Sequence, residues 1–173
     1  MLMKKNIILF IAVIVIVIFS VAWITVKSNS SVLISTLNSY ASYKYVQLHE
    51  YSLDLQVALA EKDKDKQLEY ALVALSKATV AREAIEFLAP VFQAEGIDSS
   101  FLRDRINMMA INTRHYVREI GYHGSVSEEL TKRLNKDIQD AQFIIKTFNY
   151  EWILQKDFEK VKAAIITIGR ELG

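Results

Sequence analysis

The sequence predicts an all-α fold, with one N-terminal transmembrane helix followed by an antiparallel bundle of four or five helices. Three observations carry that reading. Twenty consecutive uncharged residues, Ile7 to Val26, stand near the start of the chain. Beyond them, apolar residues recur at three- and four-residue steps through most of the remaining chain. Helix breakers are scarce: the single proline is Pro90, and no glycine precedes Gly96.

The first element is the span. Twenty helical residues rise about 30 Å, the thickness of a bilayer's hydrocarbon core. Twelve of these residues are Ile or Val, which in water would favour an aggregating strand, whereas lipid forces the backbone to satisfy itself as a helix. Trp23 and Lys27 suit the far interface. The competing reading is a cleavable leader, with Lys4 and Lys5 as its basic start and Ser20-Val21-Ala22 as a small-x-small site, which would release a secreted protein cut near Ala22. Retention is preferred because the apolar run continues past the cut through Trp23, Ile24 and Val26. Lys4 and Lys5 keep the start cytoplasmic under the positive-inside rule. The expected organisation is therefore a cytoplasmic stub (1–5), a transmembrane anchor in contact with lipid through Ile7 to Val26 (6–27) and an extracytoplasmic helical bundle (28–173).

Residues 28–173 suffice for one domain with a core of its own. Without cysteine there is neither a disulfide framework nor a thiolate metal site. Leaving out Lys4, Lys5 and Lys27, 18 basic residues face 20 acidic ones. A nucleic-acid partner, which would require a clustered basic surface, is not expected.

The first bundle helix is expected from about Val32 to Glu61, with Leu37, Ala41, Tyr45, Leu48, Leu55 and Leu59 facing inward. Tyr40, Tyr43, Tyr45 and Tyr51 crowd it and read as amphipathic rim residues. The charged run Glu61 to Lys66 marks the first reversal. A second helix, about Lys66 to Ala89, offers Leu68, Leu72 and Leu75 on one side and Val73, Val80, Ala84 and Phe87 on the next, until Pro90 breaks or kinks it. Asp98 or Ser99 caps a third, Ser100 to Ile120, whose stripe is Leu102, Ile106, Met109, Thr113, Tyr116 and Ile120. Ser125 and Glu128 have capping-box spacing and start the fourth. Its stripe, Leu130 to Trp152, then slips by one residue and resumes at Leu154, Phe158, Val161, Ile165, Ile168 and Leu172. Either the chain bends between Tyr150 and Asp157 and a fifth helix folds back, or one long helix changes the neighbour it faces.

Chemistry is thin. His115, Glu119 and His123 fall at four-residue steps, but fraying at a helix end explains them better than a metal does. His49-Glu50 lacks the second histidine of a zinc-protease motif, and phosphate loops and nucleophile elbows are missing, so no catalytic, cofactor or metal residue is assigned. Arg103, Asn107, Arg114 and Arg118 share one face of the third helix and could receive an anion, though a solvated face accounts for them. Arg82 is more pointed, since it sits within the second helix's stripe. The expected function is protein-protein contact by an anchored accessory, scaffold or inhibitor subunit, through self-association or a partner on the stripe Phe158, Val161, Ile165, Ile168 and Leu172. The alternative is a small-ligand sensor that signals through a partner. Closure of its own bundle explains the same stripe more readily, because apolar stripes are usually core.

Overall fold

The computed structural model describes residue 39 and residues 45–173. The proposed span, the cleavage site near Ala22, the linker and most of the first bundle helix ahead of Tyr45 lie outside the described residues. The described residues form an all-helical bundle. None of their helices is long and apolar enough to cross a membrane. The elements are α1 (Gln47–Ala60), α2 (Lys64–Ala94), α3 (Ser100–His123), α4 (Glu128–Thr147), a single turn α5 (Glu151–Leu154) and α6 (Phe158–Leu172). Helix α1 packs on α2 and α4, and α3 packs on the same two, so four helices close a ring; α6 then lies against α3 and α4.

Buried positions follow a three-four alternation on each long helix. On α3 they include all of the predicted Leu102, Ile106, Met109, Thr113, Tyr116 and Ile120, together with Ala110 and Asn112. On α4 they include Leu130, Leu134, Asp137, Ala141 and Ile144. Such a repeat turns a steady stripe towards its neighbours at the shallow crossing angles of a bundle.

Helix α2 departs from expectation in two ways. Its buried face is Ala71, Ala74, Ala78, Ala81, Ala84, Ile85, Leu88 and Phe92, while Leu72, Val73 and Phe87 are exposed. The reason is volume. The facing helices bring Leu48, Tyr51, Leu55, Ile106, Met109 and Tyr116, all fully buried, and a close-packed interior leaves only alanine-sized space opposite them. Second, Pro90 does not end the helix, which runs through it to Ala94. Pro90 is exposed, so the hydrogen bond it forfeits is lost on the solvent side, and buried Leu88 and Phe92 clamp the chain on either side. The real stop is a Schellman motif. Gly96 (φ 67°) donates to the Gln93 carbonyl at 3.1 Å and Ile97 to the Phe92 carbonyl at 2.8 Å, with Ile97 tucked into the core.

Three further expectations are corrected. The cap of α4 is Ser127, whose Oγ accepts from the Leu130 amide at 3.3 Å, not Ser125. Glu119 on α3 takes the orphaned Ser127 amide at 2.8 Å, the part a capping-box carboxylate would otherwise play. Gly121 does not stop α3, which continues to His123 and ends on left-handed Gly124 (φ 62°). Tyr45 and Tyr51 are fully buried, not rim residues. Each phenol buries its ring and still finds a polar contact: Tyr45 donates to the Ile144 carbonyl at 3.5 Å, and Tyr51 shares a hydrogen bond with Thr113 at 3.2 Å.

At the C-terminal end the chain bends. After α4, the turn α5 and left-handed Lys156 (φ 58°) redirect it, and Asp157 caps α6 by accepting from the Lys160 amide. The one-residue slip in the stripe thus marks a fold-back. Val161, Ile165 and Ile168 are buried, with Phe158 and Leu172 packed at the edge of the same core. In this fold the stripe closes its own bundle.

Candidate functional site

Three polar arrangements stand out among the described residues. The first is internal and joins α3 to α4. Arg105 lies one residue before buried Ile106, which aims its guanidinium at α4. Its Nη2 donates to Asp137 Oδ1 at 2.7 Å and its Nε to Asp140 Oδ2 at 2.6 Å. Asn112 donates to the other Asp137 oxygen at 2.9 Å, and Lys136 reaches Asp140 from the surface at 2.9 Å. Asp137 is 1% exposed. Burial pushes its carboxyl up from the usual value, against the lowering pull of Asn112 and Arg105. For Arg105, burial works to lower the guanidinium, but Asp137 and Asp140 outweigh it and hold the group above its ordinary value. Every oxygen of the Asp137 carboxylate has a donor, so the cluster is satisfied and closed. It offers a ligand no open coordination and reads as a helix-to-helix lock.

Sequence reasoning missed this cluster. The signal was present in the spacing: stepping four and three from Leu130 through Leu134 places Asp137 squarely in the inward seam before Ala141. An acid at a seam position asks for a basic partner, and Arg105 is its answer.

The second arrangement is the face of His115, Glu119 and His123. It lines a shallow surface crevice with Arg118 and Tyr122. The Glu119 carboxylate is already taken by the amide and hydroxyl of Ser127. Among the described residues no group of three or more histidine or acidic side chains is arranged to hold a metal ion. His49 is exposed, and its neighbour Glu50 is paired with Lys77 across α1 and α2.

The third brings together two of the residues that the sequence singles out. Arg82 from α2 and Asn107 from α3 meet at an open groove of about 400 Å³, whose other walls are Glu83, Glu86 and Phe87. Arg103 reaches Glu86 only loosely, at 3.9 Å, and Asp104 at 3.6 Å. Arg114 and Arg118 do not join the groove; both lie outside its walls. Apolar residues left outside the core include Leu53 and Val57 on α1 and Leu72 and Val73 on α2, each between 39% and 49% exposed.

The chain matches no known protein family, no curated protein and no solved structure.

Proposed function

We propose that this chain is a membrane-anchored, extracytoplasmic helical bundle that acts by contact with another protein, as an accessory, scaffold or inhibitor subunit. The observation that carries the reading is the set of large apolar side chains that α1 and α2 leave outside the core. Leu53 and Val57 lie one turn apart, and Leu72 and Val73 are adjacent, all outside a core already filled from within. Apolar area left in water forgoes about 25 cal/mol per Å² of stabilisation, a cost that a partner covering these side chains would recover. The groupings of polar side chains support contact over catalysis, since the best-formed one is closed upon itself.

The anchor reading rests on Ile7 to Val26, and the compartment on the lysines ahead of that run. The absence of cysteine makes the topology easy to test. A single cysteine placed by Lys62→Cys in the exposed turn before α2 should react with a membrane-impermeant maleimide in intact cells, and the labelled chain should stay with the membrane after an alkaline wash. Label only after lysis would overturn the compartment. A labelled, shortened chain in the medium would replace the anchor by a leader cut near Ala22.

Contact is tested by photocrosslinking in the same cells. Photoreactive residues at 53 and 72 should yield discrete adducts, while one at exposed Lys132 on α4 should not. Equal adducts from all three positions, or none from any, would remove the proposal.

A further inference from the structure

The outward face of the second half of α3 carries basic side chains that nothing answers. Arg114, Arg118 and Tyr122 follow one another at four-residue steps, all three exposed, with His115 and His123 flanking them. None of these five side chains has a hydrogen bond or ion pair among the described residues. The neighbouring acids are engaged elsewhere. Glu119 takes the amide and hydroxyl of Ser127. On α4, Glu128 pairs with Lys132 and Glu129 with Arg133. The approach of Arg103 to Glu86 sets α2 antiparallel beside α3, which brings the stretch from Tyr70 to Ala81 level with the second half of α3. The one charge in that stretch is Lys77, and it is turned to Glu50 of α1.

Two ordinary explanations fall short. The negative end of a helix favours cations only within its last turn, and Arg114 stands more than two turns before His123, where α3 ends. A merely solvated face interleaves charges of both signs, whereas Arg114 and Arg118 stand one turn apart, a spacing at which like charges repel. Shape and number then select the occupant. The crevice beside Arg118 and Tyr122, about 210 Å³, is smaller than ordinary small-ligand sites. Two arginines fall short of the roughly four to eight basic residues that hold a protein to an anionic membrane. Arginine and tyrosine are, however, the side chains that most often anchor protein contacts, and a guanidinium fork matches both oxygens of a carboxylate. We propose that this face of α3 docks an acidic segment of a partner protein, with carboxylates one helical turn apart on Arg114 and Arg118 and the Tyr122 ring packed beside them. Such docking rests on the proposed contact function and extends it from α1 and α2 to α3. Exposed ion pairs add little affinity, so these charges act chiefly on which partner fits and how fast it arrives.

The test places a photoreactive residue at Gly121 of the full-length chain, where an added Cβ meets nothing within 4 Å and Tyr122 is left in place. In membranes prepared from its own cells a discrete adduct should form, and the partner peptide joined to it should be rich in aspartate and glutamate. Arg114→Glu combined with Arg118→Glu should reduce the adduct at least about fivefold. Salt at about 1 M, which shortens the Debye length to about 3 Å, should weaken it as well. Lysine at both positions should keep most of it, and Lys162→Glu, exposed on α6, should leave it unchanged. Adducts at 53 and 72 without one at 121 would overturn docking on α3 and leave the contact function standing, whereas none at any of the three removes both. An adduct at 121 that charge reversal does not diminish, or one joined to lipid or to a peptide without acids, would also overturn it. Unchanged melting midpoints in the variants assign the loss to the surface and not to the fold.

Discussion

Two buried polar residues show what single side chains contribute. Tyr116 donates to the Ala58 carbonyl at 3.0 Å. That carbonyl belongs to the last turn of α1, where no intrahelical donor remains, so the phenol caps a helix from inside the core. Burial pushes the Tyr116 phenol up to about 12. The folded state thus favours the protonated phenol, and this contribution persists through neutral pH and fades as pH rises from about 10 to about 12. Tyr116→Phe should cost about 1 kcal/mol in urea unfolding at neutral pH; no loss would show that the Ala58 carbonyl finds water instead.

Asp137 shifts in the same direction, but in the acid range. Its raised pKa means that the folded state holds the proton more tightly than the unfolded chain does. The sign follows: its contribution is most favourable below the ordinary value of 3.8 and diminishes as pH climbs through the raised native value. Asp137→Ala strands Asn112 and half of Arg105, and should destabilise by about 3 kcal/mol at neutral pH. For Asp137→Asn, the deficit relative to the parent should be larger at about pH 3.5 than at pH 7, as read by chemical unfolding at both. A deficit that grows with pH would mean the ion pair with Arg105 outweighs burial.

Among the elements, α2 is the most instructive. Pro90 sits inside it and denies the backbone one hydrogen bond, yet the helix holds because Leu88 and Phe92 are fixed in the core. Pro90→Ala should therefore stabilise the bundle, by about 1 to 3 kcal/mol, through the restored bond and the better helix former. Thermal melting checks this; a lower midpoint would mean the proline sets a bend that packing requires. The main stripe on α3 was legible because most of its inward residues are large and apolar and many of its outward ones charged. That contrast is missing on α2, where leucine, valine and phenylalanine compete with alanine, and periodicity alone favours the bulkier side.

For the whole molecule, the position of α6 decides how the bundle is completed. Val161, Ala164, Ile165 and Ile168 are buried, and side chains of the larger kinds contribute about 1.5 to 3 kcal/mol each on burial. Their sum approaches the entire stability of an ordinary domain, about 5 to 15 kcal/mol. Truncation after Trp152 should accordingly unfold the remainder or leave it markedly less stable by circular dichroism. A truncated chain that melts like the parent would return the stripe to the role of an interface.

By itself the sequence determined the helical class, the main stripe of α3, the first half of the stripe of α4, the turn before α2 and the offset after Trp152, because each is a local matter of periodicity, capping or charge. It also brought Arg82 and Asn107 to notice, although on separate helices. Tertiary structure alone decided that α2 turns its alanines inward, that Ser127 and Glu119 together start α4, that Arg105 meets two acids across the seam, and that Arg82 and Asn107 share one recess. These outcomes depend on how much volume a neighbouring helix brings and which charge it presents. Such quantities belong to pairs of helices, and no single helix's pattern contains them.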